Sequence, residues 1–179
     1  MTQAVTPYIP LRERINFRII IFVGVFAMLL GLPIYWYIDS AITGGIKQRG
    51  DFLAVDLKAM STFVFDQTGG SIDDVPEKWR ALDGKKVILE GEVTPAGFTA
   101  RGLDRHFELV YSVAKCCFSG PPQIQHFVQI NVPPEIDIGY RGGPVEVRGI
   151  LTVDVTRDPD SQRVTGIYHV KAESVRPVG

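Results

Sequence analysis

Several features that usually betray a function are scarce in this sequence. Lys and Arg number 19 against 20 Asp and Glu, for a net charge of −1, so no global field favours a polyanion such as nucleic acid. No phosphate-binding G-x-x-x-x-G-K-[ST] loop, dinucleotide G-x-G-x-x-G fingerprint, H-E-x-x-H helix or G-x-S-x-G elbow occurs. The common sequence grounds for a nucleotide enzyme, a zinc protease or a serine hydrolase are therefore missing. Histidine is limited to three residues and cysteine to two. The cysteines, Cys116 and Cys117, are adjacent, so there is neither a C-x-x-C pair nor a multi-bridge disulfide framework. No internal repeat or low-complexity tract stands out.

Long apolar runs are also rare, and the one that exists is decisive. Residues 19–38, IIIFVGVFAMLLGLPIYWYI, carry no charge over twenty positions. A helix of that length covers roughly 30 Å, the thickness of the hydrocarbon layer. A soluble core helix would keep a polar face, and this one has none. Tyr35, Trp36 and Tyr37 gather at its far end, where amphipathic rings favour the lipid–water interface. The run exceeds a typical signal-peptide core, and Asp39 spoils the small-x-small pattern of a cleavage site. An uncleaved anchor is expected. Arg12, Arg14 and Arg18 precede it, and Lys47 and Arg49 follow at a greater distance. The positive-inside bias puts residues 1–18 in the cytoplasm and the rest in the periplasm, with the span in a bacterial inner membrane.

Residues 39–50 contain three glycines and no apolar periodicity, as a flexible tether would. From 51 onward one extracytoplasmic domain is expected. Residues 51–66 read as a strand, although 52–60 fit a helix nearly as well. Pro76 to Leu82 suits one short helix, with Asp74 near its start. The pattern then becomes regular. Val87, Leu89, Gly91 and Val93 share one face and Lys86, Ile88, Glu90 and Glu92 the other, as in a half-buried strand, and Gly91 marks a bulge or a close backbone approach. Residues 106–114, 123–132, 144–155 and 163–175 supply four more strands between Gly- and Pro-marked turns. The expected fold is mainly β: a five- or six-stranded barrel of the oligonucleotide/oligosaccharide-binding (OB) type, with a β-sandwich as the alternative.

The segments VPEKWRALDGKKVILEGEVTP, FELVYSVAKCCFSGPPQIQHFVQINVP and VEVRGIL together resemble a bacterial envelope family of unknown function. Its members carry an ALDGK-type element, a glycine- and proline-ended strand, a Cys-containing Pro-rich loop and a V-x-V-x-G strand. The likeness covers about residues 72–155. It implies a small exported or anchored protein, in some members associated with transporters and metal handling. Many members have one Cys followed closely by His. Here two Cys are adjacent, and His126 lies nine residues beyond Cys117.

Three readings of KCCFSGPPQIQH, residues 115–126, stand side by side. Cys116, Cys117 and His126 would suit zinc or copper, because both ions accept thiolate and imidazole. Adjacent side chains of an extended segment point apart, however, and a fourth ligand is missing unless Asp104, His106 or Glu108 folds in. A Cys116–Cys117 disulfide would be strained and easily reduced. Alternatively, one Cys packs as a small hydrophobe while Gly120, Pro121 and Pro122 stiffen the turn. His106 and His169 read as surface or packing residues, and Trp79 as a core plug.

The expectation is a single-pass, non-catalytic binding or assembly module of a cell-envelope or transporter complex. It touches lipid through residues 19–38 and has a membrane-protein partner and no nucleic acid. Loops 95–105, 115–123 and 133–143 would form its contact surface. The alternative is a periplasmic zinc- or copper-binding protein.

Overall fold

The computed structural model describes residues 17–99, 102–118, 120–138, 140 and 142–178, without the side chains of 36–43 and 117. Most of the expected cytoplasmic segment, and the side chains of Trp36 and Tyr37, lie outside the described residues. The chain divides into two compact units, Met1–Ile42 and Thr43–Gly179.

Helix α1 spans Phe17–Thr43 and carries Pro33 within it. Its Phe17–Tyr35 stretch has a mean hydropathy of 2.4 and buries none of its side chains. Water solvates such a cylinder poorly on every side. By length and composition it can cross a membrane, as an anchor or as an export signal sequence.

The second unit is mainly β. Part of the expected tether is strand: β1 (Ile46–Arg49) pairs antiparallel with β2 (Phe52–Val55). β2 then runs parallel to β3 (Lys86–Val93), with Leu53 opposite Val87. Residues 51–66 are thus not one strand. After β2 the chain turns into α2 (Leu57–Ser61), where the Asp56 carboxylate accepts from the Lys58 and Ala59 amides at 2.9 and 3.2 Å. That cap satisfies two amides that a helix start leaves without partners. One further helical turn, α3 (Glu77–Arg80), delivers Trp79 to the interior at 1% exposure.

The remaining strands are β4 (Phe98–Thr99) and β5 (Gly102–Leu103), a small separate hairpin, and then β6 (His106–Val110), β7 (Val128–Asn131), β8 (Val145–Arg157) and β9 (Val164–Pro177). Among the described residues the main sheet has seven strands in the order β1-β2-β3-β6-β7-β9-β8. It is mixed, because β7 and β9 are parallel. β3 changes partner along its length. Lys86 to Gly91 pair with β8, and Glu92 and Val93 pair with β6. The pairings β3–β6–β7–β9–β8 therefore return to β3.

Gly91 stands at this change of partner. A side chain there would reach 2.5 Å from the Val110 carbonyl oxygen and 2.7 Å from Leu57 Cδ1. Ile88, on the face expected for solvent, is buried as well, at 3% exposure, while the residues expected inward, Val87, Leu89 and Val93, are all buried. With Leu109, Ile130, Val147, Leu151 and Val170 they form one core, which Met60, Phe65, Trp79 and Tyr168 extend. The Tyr168 hydroxyl donates to the Met60 carbonyl at 3.4 Å, and burial pushes its pKa well up.

The ALDGK element docks on β8. Asp83 accepts from the Val153 amide at 2.9 Å, and the Gly84 amide donates to the Leu151 carbonyl at 2.8 Å. Gly84 has φ 70°, a region that suits glycine.

Two sequence expectations fail around the cysteines. Residues 113–118 are helical, as α4 (Val113–Phe118), rather than strand and loop. The strand expected over 123–132 begins only at Val128, after a 3₁₀ turn at Ile124–His126. Gln125, rather than His126, takes the buried place. Its amide donates to the Phe63 carbonyl at 3.1 Å and accepts from Gln67 at 3.0 Å, while Gln67 accepts from the Ile124 amide at 2.8 Å. A buried amide with its bonds satisfied is tolerable, and here it ties residues 63–67 to this turn.

Candidate functional site

Period-two alternation leaves one side of each strand for the core and the other for solvent. On β6, β7, β9 and β8 the solvent side is concave enough to form a groove of about 420 Å³. Strand register sorts its polar side chains into two rows. The first runs Glu108, Gln129, His169, Thr152 across four strands. The second runs His106, Asn131, Lys171 and ends at Ile150. Neighbouring strands lie about 4.8 Å apart, so each row is roughly 14 Å long, and positions two apart put the rows about 7 Å from each other.

Glu108, Gln129 and His169 of the first row are half-buried, and Thr152 is exposed. Burial pushes the Glu108 carboxyl pKa up, and the nearby Thr94 hydroxyl opposes that shift. Burial also pushes the His169 imidazole pKa down, against a hydrogen bond to the Asp154 backbone and the charge of Asp154. His169 Nε2 is buried without a hydrogen-bond partner. Gln129 Nε2 donates to the Thr165 carbonyl at 2.9 Å, which leaves the Gln129 amide oxygen to accept. Gly166 makes room for this row. A Cβ there would stand 2.9 Å from Gln129 Nε2 and 3.0 Å from His169 Cε1.

The second row carries the positive charge. Lys171 has no carboxylate within ion-pair distance among the described residues, whereas Glu173, two positions along β9, pairs with Lys86 at 3.4 Å. The groove thus joins a cationic edge to a strip rich in hydrogen-bond acceptors.

The cysteine-loop residues fall elsewhere. Cys116 sits on α4 at 2% exposure, with Sγ 3.8 Å from the Val113 carbonyl oxygen one helical turn back. The Cys117 side chain lies outside the described residues. His126 closes the 3₁₀ turn and meets the Tyr111 ring edge-on at 6.3 Å between centroids. Burial lowers the pKa of its imidazole, and Nδ1 is buried without a partner. Among the described residues no three His, Cys, Asp or Glu side chains converge as a metal site would require.

Sequence reading singles out His106 and Glu108 only as candidate fourth metal ligands and His169 only as a surface or packing residue, and it gives no role to Gln129, Asn131 and Lys171. Their signal was present, because each alternates with a core residue on its own strand. What the alternation lacks is register, which alone brings four strands' outward positions into two rows.

No family model matches the sequence, and no curated protein matches it. Among solved structures, a DUF3299 family protein from Pseudomonas aeruginosa PAO1 is similar at 24% identity and a TM-score of 0.42. The likeness covers 56% of this chain and 65% of that one, so the chain spans less than two thirds of the other protein's length.

Proposed function

We propose that this chain is a single-pass, membrane-anchored, non-catalytic binding module of a cell-envelope or transporter complex, and that the groove across β6, β7, β9 and β8 is its recognition face. In this reading, residues 19–38 cross the bacterial inner membrane. The arginines at 12, 14 and 18 hold the N-terminus in the cytoplasm, and the β unit lies in the periplasm beside a membrane-protein partner. The ring of pairings is read as a closed five-stranded barrel of the OB type, with β1 and β2 as additions. The groove carries the proposal. It is a concave, polar surface on paired strands, and such a framework holds side chains in fixed positions for recognition. The anchor concentrates that surface near membrane partners.

The test is protease treatment of spheroplasts that express the full chain. The β unit should be cut by protease added outside, while a cytoplasmic control protein survives. A β unit protected until lysis would refute the reading.

One observation favours a second reading, in which Cys116, Cys117 and His126 bind zinc or copper: the buried, unpartnered Nδ1 of His126. Elemental analysis of the purified full chain would then find one equivalent of metal, lost in the Cys116→Ser, Cys117→Ser variant. Equal metal content in both proteins would end it.

A further inference from the structure

The two rows of the groove differ in chemistry, and together they define a ligand. The second row offers the Lys171 ammonium, the Asn131 amide and the His106 ring on the exposed side of three adjacent strands. This edge asks for an anionic group. The first row offers acceptors: the Gln129 amide oxygen, the Glu108 carboxyl and the Thr152 hydroxyl. This strip asks for donors, and several of them. A ligand that satisfies both rows carries hydroxyl groups along one side and an acid group about 7 Å away, the separation of the rows.

Size narrows the choice further. A groove of about 420 Å³ and roughly 14 Å in length accommodates one or two sugar rings. Nucleic acid fits poorly. Strand binding draws on several cations and on aromatic platforms for the bases. These two rows contain one lysine and no Phe, Tyr or Trp.

From this complementarity we propose that the groove binds an acidic saccharide, a uronic-acid-bearing unit of one or two rings. Its carboxylate lies against Lys171 and Asn131, and its ring hydroxyls lie along Gln129 and Thr152, beside the His169 ring. This inference rests on the reading of the groove as the recognition face and gives that face a ligand class. Gly166 keeps room for this row, since a Cβ there would stand 2.9 Å from Gln129 Nε2 and 3.0 Å from His169 Cε1, so any side chain would have to displace them.

The test is calorimetric titration of the full chain in phosphatidylcholine nanodiscs, which avoids sugar-based detergents. The probes are digalacturonate, neutral galactobiose and inorganic phosphate. Digalacturonate should bind at least about tenfold more tightly than galactobiose, and Lys171→Gln should remove that preference. Gly166→Ala should weaken digalacturonate about fivefold with the charges unchanged, whereas Lys85→Gln, outside the groove, should bind as wild type. Tryptophan fluorescence melting confirms that each variant is folded.

The proposal is overturned if digalacturonate and galactobiose bind equally, if neither binds up to about 20 mM, or if Lys171→Gln keeps the preference. Phosphate binding as tightly as digalacturonate would reduce the site to an anion site and overturn the saccharide assignment. These outcomes are separate from the protease test. A β unit exposed outside but blind to digalacturonate loses only the ligand class. A protected β unit that still binds the sugar loses only the extracytoplasmic module.

Discussion

Gly91→Ala is the sharpest probe of how this sheet is built. Gly91 is the last β3 residue paired with β8, and Glu92 is the first paired with β6. The added methyl would sit 2.5 Å from the Val110 carbonyl oxygen, 2.7 Å from Leu57 Cδ1 and 3.1 Å from Leu109 Cγ. A leucine methyl can rotate away at small cost. The carbonyl belongs to a paired strand and moves only with it. Overpacking of this kind costs about 1–3 kcal/mol, and the backbone contact puts the expectation near the top, at about 3 kcal/mol. For a unit of this size that corresponds to a fall in Tm of roughly 6–15 °C. Thermal unfolding of the full chain, followed by tryptophan fluorescence, would measure it, because Trp79 is 1% exposed in the core. The same substitution in a Leu57→Ala background separates the two clashes. There it should still cost about 2 kcal/mol, because the carbonyl remains in the way. A loss below about 0.5 kcal/mol in the wild-type background would refute the close approach, and with it the partner exchange at this residue.

Other predictions concern single interactions and pH. Asp83→Ala should cost about 1–3 kcal/mol by stripping the Val153 amide of its acceptor; urea unfolding with an unchanged midpoint would contradict this. Trp79→Ala should cost about 3–5 kcal/mol, and a smaller loss would mean that α3 does not plug the core. His126 and His169 both have imidazoles whose pKa is lowered by burial. The folded state therefore binds fewer protons than the unfolded state as pH falls through 6.5, their ordinary value, and stability should fall in that direction. Glu108, raised by burial, acts oppositely: the folded state takes up its proton first, and stability is regained as pH falls toward 4.5. Melting curves of wild type and of His126→Gln, His169→Gln should show a flatter profile in the variant from pH 7 downward. Parallel profiles would refute the burial assignment.

Much of the β framework is legible in the sequence because its cause is local. Val87, Leu89, Gly91 and Val93 alternate with Lys86, Ile88, Glu90 and Glu92, three of them charged, and a strand with one face in a core reads much that way. The long β8 and β9 show the same signal and were placed within a few residues. Gly91 was legible as a close approach, although the atoms it spares come from distant segments. The region from 113 to 127 was not legible. VAKCCF carries no helical stripe, so its helix follows from tertiary context rather than from periodicity. The inward place of Gln125 depends on Gln67, some sixty positions earlier, and no pattern in one segment contains that partner. The groove was hidden for a related reason. Each outward residue looked like an ordinary solvent-facing position until pairing set it beside two others.

β9 pairs antiparallel with β8 and parallel with β7, and it is the last strand in chain order. Until it arrives, β7 has one open edge and Ile130 and Leu151 lack their cover. A nascent chain would therefore hold an unsealed, adhesive interior until β9 is made. It would become protease-resistant only when the final strand slid between the other two. For such a topology the slow step of folding is long-range loop closure, and the gap between β7 and β8 is the part of the sheet that stays open longest.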